Sequence, residues 1–405
     1  MAKKNKKKWM KFRHKVVRVI LRPILRPIIK LKYGVKIEKL KTGKDRQYLI
    51  LMNHQTAFDQ FFVDLVFKKP IYYVASEDLF SNGFVSKLIK YLVNPIPIKK
   101  QITDVTAVMN CMRVAKEGGT IAIFPEGNRT FSGKTEYINP AISALVKKLK
   151  LPIVFLKCEG GYGVQPRWSD VKRKGKMRVY VSKILEPEEY ENQTKEEFYE
   201  TIKRELFVNE AVANAEFKHK KNAEYLERAM YVCPYCGLSE FESHNDVITC
   251  KKCNRQIKYL STKQLKGVDF DFPHEFVNDW YEYQQEYVNN LDVKAFTENP
   301  AYVDTANFSQ VIVYKKKKVI DKNVTVKLFS DKIVISGDKM GEKTYTFDDL
   351  NAVTILGRNK VNLYIDDKIY QLKSHKRFNA LKYVNFYYHY KNVVKGEDST
   401  KFLGL

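Results

Sequence analysis

The sequence has little of what marks membrane-spanning, disulfide-bonded or disordered proteins. It contains no run of about 18 uncharged apolar residues, the length that a spanning helix requires. Six cysteines among 405 residues exclude a dense disulfide framework. A secretory signal is not expected, because Arg and Pro interrupt the apolar part of the N-terminus. With 44% hydrophobic residues the chain can form folded cores, and its length corresponds to two to four domains of about 100–200 residues.

Acidic residues are in deficit, and the resulting positive charge is unevenly distributed. The chain has 72 Lys and Arg against 46 Asp and Glu, a net charge of +26. Such a charge attracts polyanions, including nucleic acid, anionic membranes and phosphorylated ligands. Half of the excess lies in residues 1–34, which contain no acid, whereas the chain from Tyr231 onward carries only +4. The charge therefore concentrates in the first part of the chain.

The N-terminal segment combines this charge with aliphatic and aromatic residues. Five lysines precede Trp9 and Phe12, and three arginines then recur every four residues, at Arg18, Arg22 and Arg26. Such spacing keeps them near one face of a helix, which Pro23 and Pro27 are expected to kink or interrupt. The pattern is typical of an interfacial anchor on anionic lipid. A basic tail that leads into a core helix is the alternative.

Short apolar runs alternate with helix-like segments in the first half of the chain. Five runs predict buried strands, at residues 48–52, 71–75, 120–124, 153–156 and 177–181. This alternation predicts an α/β domain with a mixed sheet flanked by helices. In the second half, β-branched runs over residues 311–372 and a helix over 376–392 predict a small β-rich domain with a C-terminal helix. Its architecture resembles small pleckstrin-homology-like domains.

The first candidate site directly follows the strand predicted at residues 48–52. His54 is near the end of this strand, and Asp59 lies five residues further on. The ends of such strands are where α/β sheets bind ligands, and an aspartate there can fix the tautomer of a histidine. The second ring nitrogen can then take a proton from a substrate hydroxyl. On spacing alone, a helix-capping Asp beside a polar His is an equally good interpretation.

The second candidate site follows the strand predicted at residues 120–124. Pro125 and Gly127 favour a tight turn, whose backbone N–H groups can form an anion-binding concavity. Arg129 offers a planar fork that suits phosphate or carboxylate. Two such features at strand ends of one domain favour a functional site over an ordinary turn with a surface Arg.

Together, the motif from Asn53 to Asp59 and the Phe-Pro-Glu-Gly-Asn-Arg motif at residues 124–129 resemble the glycerolipid acyltransferases of the 1-acylglycerol-3-phosphate type. The likeness covers roughly residues 33–210 and includes the separation of about seventy residues between the motifs. At the place of the family's second motif, Lys99 stands where an Arg is common. A lysine attracts phosphate as a point charge, without the bidentate fork.

The resemblance implies an O-acyltransferase that moves a fatty acyl chain from acyl-CoA or acyl carrier protein to the hydroxyl of a lysophospholipid. The expected acceptor is 1-acyl-glycerol-3-phosphate, which would give phosphatidate. His54, oriented by Asp59, would be the general base, with no covalent enzyme intermediate and no redox cofactor. The residues expected to bind the acceptor are Lys99, Glu126, Gly127 and Arg129. Because a carboxylate repels phosphate, Glu126 is expected to orient Arg129 or an acceptor hydroxyl.

Four cysteines form two C-x-x-C pairs that are separated by thirteen residues, namely Cys233, Cys236, Cys250 and Cys253. This spacing is typical of a zinc ribbon. Four thiolates close the coordination shell of Zn²⁺, so the expected metal is structural. A redox device is the alternative, but no thioredoxin-like strand context surrounds the pairs. Reduced cysteines imply the cytosol or a cytosolic membrane face.

These patterns predict a domain order and a location. The predicted segments are a membrane-interface segment at 1–34, an acyltransferase domain at 35–228, a zinc ribbon at 229–262, a helical linker at 263–308 and the β-rich domain at 309–395. The expected location is the cytoplasmic face of the cell membrane, as a peripheral or monotopic protein on an anionic surface. Three alternatives stay open. One is a zinc-ribbon protein that binds nucleic acid, which the charge distribution makes the weaker interpretation, and another is a catalytically idle lipid-binding scaffold. The third is hydrolysis or transacylation, because the same base could activate water or another lysolipid.

Overall fold

A computed structural model describes residues 8–40, 46–98, 104–312, 315 and 317–396 of the chain. The helices of the first half are α1 (Phe12–Tyr33), α2 (Asp59–Val66), α3 (Phe84–Leu92), α4 (Val105–Lys116), α5 (Ala141–Leu149), α6 (Gly161–Val164), α7 (Pro187–Tyr190) and α8 (Lys195–Leu206). The strands of this half are β1 (Val35–Ile37), β2 (Leu49–Met52), β3 (Ile71–Ser76), β4 (Ile96–Ile98), β5 (Thr120–Ile123), β6 (Ile153–Glu159) and β7 (Met177–Leu185).

A mixed sheet in the order β1-β7-β6-β2-β5-β3-β4 organises the first half. The central strand β2 pairs in parallel with β5 and β6, whereas β7 runs antiparallel to β6. All four residues of β2 are buried, as expected for a strand covered by helices on both faces. The predicted α/β fold with a mixed sheet is confirmed. The edge strands β1 and β4 were not predicted, since three residues each are too short for a clear pattern.

Helix α1 lies against α2 and continues through both prolines. Pro23 and Pro27 remove backbone donors but do not end the helix, contrary to an interruption at these positions. Arg18 pairs with Asp64 at 2.6 Å, and Arg22 donates to the carbonyl oxygen of Leu65 at 3.0 Å. Two of the three regularly spaced arginines therefore bind the C-terminal end of α2. Among the described residues, no helix is both long and apolar enough to cross a membrane.

The cysteine-rich region consists of short antiparallel strands. They are β8 (Val232–Cys233), β9 (Gly237–Leu238), β10 (Phe241–His244), β11 (Val247–Cys250), β12 (Gln256–Tyr259) and β13 (Leu265–Gly267). The first two form a hairpin and the other four form one sheet in chain order. Helix α9 (Val277–Asn289) follows. It packs against this region through Trp280, whose indole N–H donates to the carbonyl oxygen of Val232 at 2.8 Å.

The last part is a seven-stranded antiparallel sheet followed by a buried helix. Its strands are β14 (Tyr302–Val311), β15 (Lys318–Leu328), β16 (Lys332–Gly337), β17 (Gly341–Thr346), β18 (Ala352–Leu356), β19 (Lys360–Ile365) and β20 (Lys368–Lys373). Strand order is β17-β16-β15-β14-β20-β19-β18. Every residue of α10 (Leu381–His389) is buried. This confirms the predicted β-rich part with a C-terminal helix. Strand β14 begins inside the segment predicted as a helical linker.

The largest hydrophobic core crosses from the first half into the second. It joins Phe131, Tyr162 and Trp168 of the α/β half to residues of the cysteine-rich region, α9 and the C-terminal sheet. Two separate clusters fill the α/β half itself. The C-terminal parts are therefore packed against the α/β half by a shared core, at the segment that follows β6.

Candidate active site

His54 and Asp59 lie at the turn that connects β2 to α2. Asp59 is the first residue of α2, and its Oδ2 atom lies 2.8 Å from Nδ1 of His54. The structure thus brings the two predicted side chains into hydrogen-bond contact. Because Nδ1 faces the carboxylate, Nε2 is the ring nitrogen on the opposite side, where a substrate hydroxyl would be deprotonated.

The Asp59 carboxylate is held in place by its own turn. It is fully buried and accepts hydrogen bonds from the backbone N–H groups of Gln55 and Thr56 and from the Thr56 hydroxyl, over 2.6–3.1 Å. Asp59 therefore closes the local turn and orients the histidine at the same time, so the two interpretations of the motif are compatible.

A large apolar cavity borders the histidine. The His54 ring stacks on Phe124, with ring centroids 4.5 Å apart and an interplanar angle of 26°. Both rings line a cavity of about 890 Å³. Much of its wall is aliphatic and comes from α1, α2, β3 and α5, including Leu21, Leu25, Ile29, Leu65, Ile71 and Ile142. Such a volume lies in the range of small-molecule sites, about 300–1,000 Å³, and the lining suits a hydrocarbon chain.

Glu126 connects the two predicted motifs through backbone hydrogen bonds. Its carboxylate accepts the N–H of His54 at 2.8 Å and the N–H of Glu136 at 3.0 Å. Burial raises the pKa of Glu126 to about 8, although these two N–H donors act in the opposite direction. Both oxygens thus hold the loop after β5 against the turn after β2. The predicted role of Glu126 in orienting Arg129 or an acceptor hydroxyl stays a prediction.

Arg129 directly precedes a residue bonded to the His54 turn, and one nitrogen of its guanidinium has no partner among the described residues. The N–H of Thr130, the next residue, donates to the carbonyl oxygen of His54 at 3.4 Å. The Nη1 atom of Arg129 is buried and has no hydrogen-bond partner among the residues that the structure describes. Burial lowers the pKa of Arg129 to about 10, and the charge of Arg358 adds to this effect. A buried guanidinium nitrogen without a partner favours an anion as its ligand.

Gly127 and Lys99 are the two remaining residues that were predicted to bind the acceptor. Gly127 has φ +66°, which glycine adopts without strain, and its N–H donates to the carbonyl oxygen of Phe124 at 2.9 Å. The predicted tight turn is therefore present, and Gly127 lines the cavity. Lys99 lies outside the described residues, directly after β4.

The four cysteines converge on one point. Their sulfur atoms all lie within 4.8 Å of one another, with 3.7 Å between Cys233 and Cys253 and 3.5 Å between Cys236 and Cys250. A tetrahedral ion bound to four thiolates at about 2.3 Å places sulfurs about 3.8 Å apart. The cluster therefore has the donor set and spacing to hold a metal ion.

An α/β sheet places a His–Asp pair at a strand end beside an apolar cavity, a geometry suited to deprotonating a hydroxyl next to a hydrocarbon chain. Residues 34–158 match the protein family described as Acyltransferase. The chain is 22% identical, over 159 residues, to the 1-acyl-sn-glycerol-3-phosphate acyltransferase of Bacillus subtilis (strain 168), covering 39% of this chain and 76% of that protein.

A solved structure also resembles the chain, the 1-acyl-sn-glycerophosphate (LPA) acyltransferase PlsC of Thermotoga maritima, with 24% identity and a TM-score of 0.40. The similarity covers 48% of this chain and 80% of that one. The match over residues 34–158 and the similarity to the Bacillus subtilis enzyme support an O-acyltransferase domain in the first half of the chain, similar to the 1-acylglycerol-3-phosphate acyltransferases.

Three residues near the site were not identified from the sequence. The side chain of Asn53 exchanges two hydrogen bonds with the backbone of Cys158, at 2.8 and 3.0 Å, and so fixes the end of β2 to β6. Its position directly before His54 was an available signal. Arg167 and Arg358 lie close to Arg129, but they come from a loop after α6 and from the C-terminal sheet. No local pattern connects them with the motifs.

Proposed function

We propose that the protein transfers a fatty acyl chain from acyl-CoA or acyl carrier protein to 1-acyl-glycerol-3-phosphate, forming phosphatidate at a membrane surface. The observation that carries this proposal is the 2.8 Å contact between His54 and Asp59 at the wall of the apolar cavity. The family supports acyl transfer, and the relative in Bacillus subtilis carries the name of this reaction.

The geometry suits a direct transfer between donor and acceptor. Nε2 of His54 takes the proton of the acceptor hydroxyl while its oxygen attacks the thioester carbonyl carbon. The carbon–sulfur bond then breaks, and the leaving thiolate receives the proton from the imidazolium, so that an ester and a free thiol result. Asp59 stabilises the imidazolium during this step, as carboxylates do in comparable pairs. General base catalysis of this kind contributes about 10²–10⁴-fold to the rate.

The remaining parts of the site are assigned to the two substrates. The cavity beside His54 receives the acyl chain, since its wall is mainly aliphatic. Arg129 receives the acceptor phosphate, because its Nη1 atom is buried without a partner beside the His54 turn. Lys99, Gly127 and Glu126 complete the predicted acceptor site.

The surface next to the cavity supports the proposed association with an anionic membrane. Helices α1 and α3 are connected by Arg13, whose Nε donates to the carbonyl oxygen of Tyr91 at 2.7 Å. Both helices expose large apolar side chains, with 81% of Phe12 and 77% of Phe84 accessible to solvent. Apolar side chains at this exposure, surrounded by lysines, are suited to the interface of a bilayer. We place this surface on the cytoplasmic face of the cell membrane, as a peripheral or monotopic contact.

The four-cysteine cluster is proposed to hold a structural Zn²⁺. Cys233 and Cys250 are buried, and all four sulfurs would be used as ligands, which leaves no position for a substrate. The ion would therefore stabilise the cysteine-rich region and take no part in acyl transfer.

The direct test measures transfer of a labelled acyl chain to lysophosphatidate, with acyl-CoA and acyl carrier protein compared side by side. We expect His54→Ala to lose at least about 10²-fold in turnover. His244→Ala is the matched control, because His244 is an exposed histidine of the cysteine-rich region. Full activity in His54→Ala would overturn the mechanism. Failure of the unaltered enzyme to acylate any lysophospholipid would overturn the proposed reaction.

A further inference from the structure

The turn between β18 and β19, residues 357–359, touches the α/β half next to the proposed acceptor site. Arg167 of the α/β half donates through Nε to the carbonyl oxygen of Gly357 at 3.0 Å. In return, Nε of Arg358 donates to the carbonyl oxygen of Arg167 at 3.1 Å. The C-terminal sheet is thus fixed to the α/β half by reciprocal hydrogen bonds at this turn.

The same Arg167 side chain continues to the motif that contains Arg129. It is 1% exposed, and its Nη1 atom donates to the carbonyl oxygen of Arg129 at 2.9 Å. One buried guanidinium therefore bonds both to the β18–β19 turn and to the backbone of the proposed phosphate-binding residue. The position of Arg129 depends on this turn as well as on the loop after β5.

Four guanidinium groups lie around this contact, those of Arg129, Arg167, Arg228 and Arg358, against three carboxylates, those of Asp59, Glu136 and Asp170. Arg358 pairs with Asp170 at 2.7 Å, but Arg228 pairs with the same carboxylate at 2.9 Å. Burial, and then the charge of Arg129, lowers the pKa of Arg167 to about 9. Since burying several like charges is unfavourable without a counter-charge, the cluster is suited to a further anion.

The surroundings of Tyr33 add to this excess. Lys172 lies 5.5 Å from the centroid of the Tyr33 ring, and Lys32 lies 4.4 Å from that of the adjoining Phe58 ring. Burial, and then the charge of Asp59, raises the pKa of Tyr33 to about 12, whereas the charges of Arg129 and Arg358 act in the opposite direction. Arg129 and Arg358 therefore act electrostatically on one common region, next to the helix that carries Asp59.

We propose that Arg358 of the C-terminal sheet completes, together with Arg129, the subsite for the phosphate group of the acceptor. This inference rests on the proposed function and adds to it that the substrate site is assembled from both halves of the chain. The chemical class of ligand is a phosphate monoester, whose oxygens can accept from two guanidinium groups. A quarter of the Arg358 side chain is exposed, at 25%, so a ligand can reach it.

The test compares Arg358→Ala, Arg358→Lys and the control Lys343→Ala, which removes an exposed lysine from β17 of the same sheet. The KM for lysophosphatidate should rise about ten- to hundredfold in Arg358→Ala, as expected for loss of a charge-assisted contact. Arg358→Lys should recover part of the loss, because it keeps the charge without the fork. The KM for the acyl donor, and every parameter of Lys343→Ala, should stay unchanged.

A second measurement separates this inference from the proposed function. Calorimetry with glycerol 3-phosphate as the probe reports anion binding without turnover. We expect weaker binding in Arg358→Ala and intermediate binding in Arg358→Lys. If the unaltered enzyme acylates lysophosphatidate but Arg358→Ala retains both KM and probe affinity, the inference is wrong and the turn is only structural.

If the unaltered enzyme binds the probe but acylates no lysophospholipid, the proposed reaction fails while the anion subsite is still tested by calorimetry. Thermal unfolding of each variant controls for folding. If Arg358→Ala unfolds at a lower temperature than the unaltered enzyme, Arg358→Lys becomes the deciding variant. A correctly folded lysine variant with unaltered KM and probe affinity would overturn the role of the Arg358 guanidinium in binding the phosphate. A rise in KM together with an equal rise for uncharged monoacylglycerol would also overturn a phosphate contact.

Discussion

The two halves of the molecule differ in how far they expose large apolar side chains to solvent. The α/β half exposes many large ones on α1 and α3, including Leu31 at 86%, and it encloses the cavity beside His54. The C-terminal half buries many of its aromatic residues fully, as in α10 and around Trp280, and packs others partly buried against the same core. A half with an incomplete surface and an internal cavity can bind lipid, whereas a densely packed half can position and stabilise.

The comparison also shows that the two halves are not independent. The largest core includes Trp168 and Tyr162 of the α/β half, and the β18–β19 turn contacts Arg167 beside the proposed acceptor site. We assign the chemistry to the α/β half and a stabilising role to the C-terminal half. The boundary between the two halves lies within a few side chains of Arg129. Four changes test this division, and they are ordered here by the size of the expected effect.

Removing the metal from the cysteine cluster should have the largest effect, on the C-terminal half. Metal binding to four-cysteine sites contributes on the order of 10 kcal/mol to folding. Cys250→Ser should therefore lower the unfolding midpoint strongly and abolish bound zinc, as measured by atomic absorption and thermal unfolding with and without chelator. Cys111→Ser is the matched control, because Cys111 is a buried cysteine outside the cluster. Unaltered unfolding in the presence of chelator would contradict a structural ion.

Replacing Asp59 by Asn should act on chemistry in the α/β half. The amide cannot hold the imidazolium, and it presents an N–H₂ group where the carboxylate accepts several donors. We expect turnover to fall about 10²–10⁴-fold, with a smaller change in the KM values. Steady-state kinetics over a pH series measure this, and Asp246→Asn is the control, at an exposed acid of the cysteine-rich region. Wild-type turnover in Asp59→Asn would show that the base is elsewhere.

Glu126 should make the stability of the α/β half depend on pH. Its pKa is about 8 in the folded protein, above the ordinary 4.5, so the folded state binds more protons between these values. This stability is fully present below about pH 4.5 and is lost as the pH rises through 8, by a few kcal/mol in total. Denaturant unfolding at several pH values measures the slope.

The non-ionisable variant Glu126→Gln should flatten this slope, although it also loses one acceptor for the backbone N–H groups of His54 and Glu136. Glu342→Gln, at an exposed acid of β17, should keep the slope of the unaltered protein. Equal slopes in Glu126→Gln and the unaltered enzyme would mean that another group is responsible.

What the sequence allowed us to predict follows from how local each signal is. Buried strands such as β2 and β5 are continuous apolar runs, and His54 and Asp59 lie within one turn, so both could be identified. The four cysteines could be grouped because their spacing is set by the metal rather than by the fold. The mixed sheet and the C-terminal helix follow from element types alone.

The residues that were missed act over long separations. Arg358 reaches Arg167 across 191 positions of the chain, and its own neighbours Gly357 and Asn359 indicate only a turn. Arg18 was interpreted as a lipid-facing charge, but it binds the end of α2, because helical spacing identifies a face without identifying its partner. Tertiary docking, rather than local propensity, decided both outcomes.

The smallest effect is expected at the surface of α3, where the comparison of the halves can be tested with one residue type. Val85 on α3 and Val303 on β14 are almost equally exposed, at 54% and 53%. If α3 enters the bilayer interface, Val85→Ser removes about 1 kcal/mol of apolar burial, or a several-fold loss of affinity for anionic vesicles. Val303→Ser should leave vesicle binding unchanged, since the C-terminal sheet is assigned no lipid contact. Adding Phe84→Ser to Val85→Ser should increase the loss, because Phe84 is also exposed on α3 and offers a larger apolar area. Vesicle co-sedimentation at fixed salt measures the difference, and equal losses for the two valine variants would contradict a lipid-binding surface confined to the α/β half.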